Sequence, residues 1–244
     1  KADLPTVQWV VVAYTLTVSV MLLPMGRLSD MWDRKTVYIT GFTIYSFAAA
    51  LAGFSNHLEI LIVARVVQGI GSAMVQANMT AMLLAIFPGN ERGKALGYQT
   101  SVVGTGAIAG PALGGFLVSA FSWRAVFLVN IPVGIIVISA AMFILDKSRI
   151  SFDSQAGQRI RFDWPGAVLS GAALLALLLA ISNGNQAGWG SPPIITGLLL
   201  SAALVAGFIR WELKTTAPML ELRLFKRKLV AMGVSAGWLG FLGL

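Results

Sequence analysis

Eight long apolar runs, separated by short polar segments, leave this chain very few ways to fold. They occupy approximately Val7–Met25, Thr36–Phe54, Leu58–Phe87, Ala95–Ala120, Ala125–Leu145, Trp164–Ile181, Pro193–Ile209 and Leu229–Leu244. About 20 apolar residues in a helix cross the hydrocarbon core of a bilayer. The runs lack the alternating pattern of barrel strands, and a mean hydropathy of +0.78 with 11% charged residues argues against a soluble domain. The sequence therefore predicts an all-α, polytopic bundle of membrane helices.

The basic residues indicate how this bundle is oriented. The net charge of +8 would suggest a nucleic-acid partner in a soluble protein, but fifteen of the 18 lysines and arginines lie in alternate connections between the apolar runs. Lysine and arginine accumulate in cytoplasmic loops, so these connections are expected to be cytoplasmic. Residues 1–6 are then outside, Gly26–Lys35 is inside, and no nucleic-acid partner is expected. The chain should be a multi-pass protein of the cytoplasmic (inner or plasma) membrane.

Several kinds of chemistry are disfavoured by residue content. The chain has no cysteine and one histidine, which excludes disulfides and thiolate metal sites, and no metal site is expected. His57 stands at the edge of a loop with no mid-span acid beside it. An enzymatic role is therefore disfavoured.

Arg65 places the strongest constraint on its surroundings, because it is a permanent cation inside the third apolar run. A charge at the bilayer centre costs at least about 2.5–3.5 kcal/mol, so a carboxylate, a polar cavity or both must compensate it. Polar or small residues follow at helical spacing: Gln68, Gly69, Ser72 and Gln76. They share one helix face with Arg65. This pattern favours a water-accessible path, and the alternative is a structural arginine paired within the bundle.

A second stripe lies in the first apolar run. Tyr14, Thr17, Met21 and Met25 fall along one helix face. Such a stripe is compatible with helix packing. It is also compatible with a wall for promiscuous apolar ligands, because thioethers and aromatic rings adapt to many shapes.

The first cytoplasmic connection predicts a tight antiparallel hairpin, because about ten residues separate two runs. Gly26 would permit a close backbone approach. Asp30 can accept hydrogen bonds from helix-terminal amides, and Arg34 can pair with a carboxylate. The local alternative is an ordinary charged turn.

Glycines dominate the fourth run in two overlapping small-x-x-x-small registers. Such registers form a flat groove into which another helix fits closely, and Pro111 permits a bend. A dinucleotide-binding loop is excluded, because that motif requires a strand–turn–helix unit in a soluble domain. The registers consist of Gly106, Gly110 and Gly114, and of Ala107, Pro111 and Gly115.

Five segments are predicted along the chain, and Asp163 is an expected N-cap for the helix that follows it. They are an N-terminal bundle (1–145), a cytoplasmic linker (146–163), two further spans (164–211), a cytoplasmic loop (212–228) and the beginning of a second bundle (229–244). Because the chain starts at Lys1 without methionine and an apolar run is cut at Leu244, a piece of a longer protein is expected.

These motifs together resemble the major facilitator superfamily. The first connection resembles the signature G-x-L-x-D-x-x-G-R-[KR], with a departure at Asp33, where the family usually has glycine. The third run is similar to l-x-x-x-R-x-x-q-G-x-g, and the fourth to the antiporter signature g-x-x-x-G-P-x-x-G-G. The stretch from Trp123 to Gly134 and the segment before Leu229 resemble the fourteen-span drug:proton antiporters. The matched signature positions are Gly26, Leu28, Asp30, Arg34 and Lys35, then Leu61, Arg65, Gln68, Gly69 and Gly71, then Gly106, Gly110, Pro111, Gly114 and Gly115.

The resemblance implies proton-coupled export of drugs or other hydrophobic or cationic small molecules by alternating access. It implies spans two to six of the N-terminal bundle, two inserted spans and part of the ninth. The proton gradient would supply energy, and no cofactor is expected. Small-molecule substrate, protons and membrane lipids are the expected partners, with the protein acting as a monomer. The path residues would be Arg65, Gln68, Ser72, Gln76, Tyr14, Thr17 and Met21, and the cytoplasmic latch Gly26, Asp30, Arg34 and Lys35.

One partner is missing from this assignment. None of the ten acidic residues lies mid-span, so the proton-carrying carboxylate is expected in a span before Lys1 or at an edge, such as Glu59. Two other functions stay open. The same fold could export a lipid, siderophore or metabolite, or the chain could be a non-transporting membrane subunit.

Overall fold

The computed structural model describes residues 4–146, 150 and 162–242 of the 244-residue chain. No strand occurs within these ranges, and the structure consists of helices joined by short connections. The helices are α1 (Leu4–Met31), α2 (Arg34–Phe54), α3 (Leu58–Ile86), α4 (Arg92–Ala120), α5 (Ala125–Leu128), α6 (Asn130–Ile144), α7 (Trp164–Ala187), α8 (Pro192–Glu212), a short 3-10 helix (Leu222–Lys226) and α9 (Lys228–Leu242). The predicted all-α architecture is confirmed.

Seven helical segments are long and apolar enough to cross a membrane, with α5 and α6 together forming one of them. Their outward faces carry large apolar side chains, including Ile108 and Phe143, which is 90% exposed. Such surfaces are stable in lipid and not in water. The described part of the eighth predicted run forms α9, whose apolar helical stretch is shorter than a full span.

The chain divides into two compact units, Lys1–Arg159 and Ile160–Leu244. In the first unit, α3 packs against both α1 and α2, and α2 also packs against α5 and α6. In the second unit, α7 packs against α8. The division falls within the predicted linker 146–163, of which 147–149 and 151–161 lie outside the described residues. The five-segment division stays a prediction.

Glycines bring α3 unusually close to its two neighbours. A Cβ atom on Gly71 would lie 2.6 Å from the carbonyl oxygen of Gly41, and one on Gly69 would lie 2.7 Å from the Cβ of Thr17. Both separations are below van der Waals contact, so only a residue without a side chain fits at these positions. Small residues that permit such approaches are a principal source of helix association in membranes.

The first connection is shorter than predicted. Helix α1 continues to Met31 and α2 begins at Arg34, so only Trp32 and Asp33 separate them, and the expected ten-residue loop is wrong in extent. Asp33 terminates the turn as the N-cap of α2, because its carboxylate accepts hydrogen bonds from the backbone N–H and the hydroxyl of Thr36. The acidic residue supplies a cap that glycine could not.

The fifth span is divided into α5 and α6 at Val129, although the backbone there stays helical. The side chain of Asn130 donates to the carbonyl oxygens of Val126 and Phe127 at 2.9 and 3.1 Å. An amide that binds carbonyls of the preceding turn competes with the regular helical pattern. The fifth run is therefore one continuous span in which the hydrogen-bonding pattern changes at Asn130.

In the second unit, a buried carboxylate and a hydroxyl connect α7 and α8. The predicted N-cap is present, since Asp163 Oδ1 accepts from the backbone N–H of Gly166 at 3.0 Å and also from the indole of Trp211 at 2.8 Å. Deeper in the pair, the Ser201 hydroxyl donates to the carbonyl oxygen of Ala173. The two spans thus pack on each other through Ser201.

Candidate functional site

The Arg65 guanidinium lies in the first unit, where α3 faces α1. Its Nε donates to the carbonyl oxygen of Val10 at 2.9 Å, and its Nη1 donates to Oε1 of Gln68 at 2.7 Å. The guanidinium carbon stands 4.1 Å from the ring centroid of Tyr14 and 5.7 Å from that of Phe127. A cation over aromatic faces with neutral acceptors at its edge is stabilised without an ion pair.

A chain of hydrogen bonds extends the site along α3. The Tyr14 hydroxyl and the Ser72 hydroxyl are 2.8 Å apart, and Gln76 Nε2 donates to the same Ser72 oxygen at 2.9 Å. Gln68 and Ser72 are buried, whereas Gln76 is exposed. The polar stripe predicted from helical spacing is therefore a connected network with one open end.

Two members of this network were not predicted. The Tyr45 hydroxyl of α2 donates to Asn130 Oδ1 of α6 at 3.3 Å, and Tyr45 also lies near Gln68. Asn130 lies within the Trp123–Gly134 stretch of the resemblance, which assigns it no role. A polar amide inside an apolar run was the available signal for it, whereas Tyr45 had none. We call the set Arg65, Gln68, Ser72, Gln76, Tyr14, Tyr45 and Asn130 the polar network.

The remaining stripe residues of α1 have other positions. The Thr17 hydroxyl donates to the carbonyl oxygen of Ala13 in its own helix at 2.7 Å, and its Cβ packs against Gly69. Thr17 therefore contributes to the packing of α1 on α3. Met21 is half-buried further along α1, and no described hydrogen bond joins either residue to the polar network.

No carboxylate pairs with Arg65 in the part of the chain that the structure describes, and the Asp30–Arg34 ion pair involves other residues. Glu59, the edge candidate, is exposed in the first turn of α3. Arg65 is thus held by uncharged groups alone among the described residues. The location of a proton-carrying acid stays a prediction.

The latch residues lie around the α1–α2 turn. Asp30 Oδ1 and Arg34 Nη2 form a 2.9 Å ion pair across one helical turn. Lys35 reaches the end of α6, where its Nζ donates to the carbonyl oxygens of Met142 and Leu145 at 2.8 and 2.6 Å. A cation on the last carbonyls of a helix satisfies acceptors that have no partner within the helix.

Gly26 does not show the expected close approach. A Cβ atom at this position would lie 3.9 Å from the Cβ of Ala77, which is an ordinary contact. The close approaches of this unit occur instead at Gly41, Gly53, Gly69, Gly71 and Gly134.

The glycines of the antiporter signature lie on an open face of α4. A Cβ atom would meet no described atom within 4 Å at any of Gly106, Gly110, Gly114 and Gly115. Helix α4 is continuous through Pro111, and near its beginning Gln99 donates to Thr80 of α3 at 3.1 Å. This face is open among the described residues, and its role in helix packing stays a prediction.

Comparison with known proteins gives a family for the whole chain. The family described as Major Facilitator Superfamily matches residues 1–244. Among curated proteins, the chain is 32% identical to the multidrug resistance protein Stp of Mycobacterium tuberculosis, over 93% of this chain and 42% of that protein. It is 32% identical to the riboflavin transporter RibZ of Clostridioides difficile, over 96% and 49%. It is 35% identical to the cephamycin export protein CmcT of Amycolatopsis lactamdurans, over 92% and 47%. The chain therefore spans less than half the length of each of these relatives.

Proposed function

This chain belongs to the major facilitator superfamily, and from that premise we propose that it works in proton-coupled export of drugs or other hydrophobic or cationic small molecules. The family consists of transporters, not enzymes, and the chain is an integral multi-pass membrane protein of the bacterial cytoplasmic membrane type. The curated relatives include proteins named for multidrug resistance and for antibiotic export. These names support small molecules as the transported class.

The polar network is the observation that carries the proposal. A charged guanidinium inside a membrane span is costly, and here it is held by the Val10 carbonyl, Gln68 and the Tyr14 ring. No acid is paired with it among the described residues. An unneutralised cation with an exposed polar end at Gln76 suits a site that meets a proton or an ionic group during transport.

The coupling step assigned to Arg65 is electrostatic. Its guanidinium cannot release a proton at physiological pH, so it would act on a carboxyl group by favouring the deprotonated form. Proton uptake by that carboxyl would weaken its attraction to Arg65 and alter the balance between conformations. Asp30 with Arg34 would contribute the cytoplasmic latch, and no cofactor is required beyond the proton gradient.

The test is efflux by the full-length transporter in everted vesicles, followed with a fluorescent cationic dye. Efflux should require an imposed proton gradient and should stop when a protonophore dissipates it. Substitution Arg65→Gln should abolish gradient-driven efflux while the protein remains in the membrane at normal amounts. Efflux that persists unchanged after the gradient is dissipated would overturn proton coupling.

A metabolite is the second candidate cargo, favoured by the similarity to the riboflavin transporter RibZ. A flavin is an aromatic, polar molecule that could stack near Tyr14 and Tyr45. Uptake or efflux of radiolabelled riboflavin by the same vesicles, with no movement of cationic dye, would favour this cargo over drugs.

A further inference from the structure

The outer end of the α2–α3 hairpin carries an apolar groove with a polar rim. It encloses about 270 Å³, and its lining is Phe47, Ala50, Leu51, Phe54, Ser55, Asn56, His57 and Ile60. Phe47, Leu51 and Phe54 line the groove with large exposed apolar side chains. The polar lining residues are confined to the connection between the helices. This is the amphipathic arrangement that an acyl chain joined to a polar head requires.

An arginine stands at the polar rim. Nη2 of Arg124 donates to the carbonyl oxygen of Ser55 and to Oδ1 of Asn56, both at 3.1 Å. The guanidinium also lies 4.6 Å from the ring centroid of Trp123. These contacts fix the side chain at the groove and engage only one of its three nitrogen atoms. Within the described ranges, no carboxylate is paired with it, and exposed Glu59 is not within ion-pair distance.

Charge distribution makes Arg124 unusual. Under the orientation predicted from the basic loops, this end of the hairpin faces outward, where Arg124 is the sole lysine or arginine among the described residues. Trp123 beside it suits the depth of lipid headgroups. A guanidinium with two unengaged nitrogens at that depth matches a phosphate, which it can contact in bidentate fashion.

We propose that this groove binds an anionic phospholipid of the outer leaflet. The phosphate is held by Arg124, with His57 and Asn56 as further polar partners, and one acyl chain lies along Phe47, Leu51 and Phe54. The site is separate from the polar network around Arg65, and the proposal does not depend on which cargo is transported. The bound lipid would fill the groove and join the α2–α3 connection to the beginning of α5.

The experiment uses the full-length transporter in nanodiscs of phosphatidylcholine with phosphatidylglycerol, extracted gently and analysed by native mass spectrometry. Wild-type protein should retain phosphatidylglycerol in preference to phosphatidylcholine. Arg124→Gln should lower that retention about tenfold, the scale of one lost charged hydrogen bond. Arg92→Gln is the matched control, because Arg92 is an exposed arginine at the predicted opposite face, where its Nε donates to the nearby carbonyl oxygen of Phe87.

Because Arg124 also donates hydrogen bonds to the α2–α3 connection, misfolding is a second way for Arg124→Gln to lose lipid. A second variant separates the two effects. Leu51→Trp fills the groove without touching Arg124 and should displace the lipid while thermal stability is kept. Equal retention of both lipids, or unchanged phosphatidylglycerol in Leu51→Trp, would overturn the proposal. So would a crosslink from the variant Leu51→Cys to another segment or to a second copy, because the groove would then be covered by protein.

Discussion

The guanidinium of Arg65 lies 4.1 Å from the centroid of the Tyr14 ring, on the face of the neighbouring helix. The hydroxyl of the same tyrosine lies 2.8 Å from the hydroxyl of Ser72, which is two turns beyond Arg65 along α3. Tyr14 is therefore the residue that joins the cation to the rest of the hydrogen-bond chain. This double role, ring to one partner and hydroxyl to another, allows the two contributions to be separated by substitution.

Tyr14→Phe should leave the ring beneath Arg65 and remove only the bond to Ser72. Side-chain hydrogen bonds between membrane helices contribute about 0.6 kcal/mol on average, so the effect on efflux should be two- to threefold. Tyr14→Leu removes the ring as well and should be several-fold more damaging. Initial rates of dye efflux in vesicles measure both, and a Tyr14→Phe variant as impaired as Tyr14→Leu would contradict a role for the ring.

Combining Tyr14→Phe with Ser72→Ala tests whether the two hydroxyls act together. Each single variant already loses the hydrogen bond between the two hydroxyls. The double variant should therefore be less impaired than the sum of the two single effects. Ser72→Ala alone should have the larger effect, because Gln76 loses its acceptor too. Strictly additive losses of efflux would show that the 2.8 Å contact carries no coupling.

The sequence predicted the composition of one face of α3 but not the whole network. Arg65, Gln68, Ser72 and Gln76 are related by helical spacing, which is a local property and can be read directly. Tyr45 and Asn130 come from helices whose positions depend on tertiary packing. Nothing in the sequence placed these two side chains against each other or against Gln68.

Helix ends were the least predictable part of the fold. Charged residues after Met25 suggested a loop, but α1 continues for six more residues to Met31. A charged helical turn beyond the hydrocarbon is stable in water, so hydropathy does not mark where the helix ends. Likewise, the departure at Asp33 from the family signature gave no hint that the residue caps α2.

Lys35→Met should loosen the end of α6, because two terminal carbonyls lose their donor. The expected cost is about 1 kcal/mol, seen as a lower midpoint of thermal unfolding and faster amide exchange near Leu145. Lys35→Arg keeps a cation within reach and should be milder. Lys94→Met serves as the control, since Lys94 is an exposed lysine predicted on the same membrane face. An equal loss of stability in Lys94→Met would show that Lys35 does not cap the end of α6 specifically.

Gly71→Ala should destabilise the first unit, since the added methyl would lie 2.6 Å from both the Gly41 carbonyl oxygen and the Tyr45 backbone nitrogen. Backbone atoms cannot move aside as a flexible side chain can, and overpacking costs about 1–3 kcal/mol. Thermal unfolding in detergent measures this. Gly93→Ala is the matched control, because no described atom lies within 4 Å of its added methyl. A Gly71→Ala protein that unfolds at the wild-type temperature would contradict the close packing of α2 on α3.

Gly110→Leu tests the open glycine face of α4. A Cβ atom at position 110 would meet no described atom within 4 Å, so substitution should leave the stability of this helical unit unchanged. If another helix of the full-length transporter occupies the groove, as the antiporter signature implies, the bulky side chain should separate the two and reduce efflux more than tenfold. Ala112→Leu, at an exposed position about 160° around the same helix from Gly110, controls for size alone. Normal efflux in Gly110→Leu would show that the groove is not a helix-packing surface during transport.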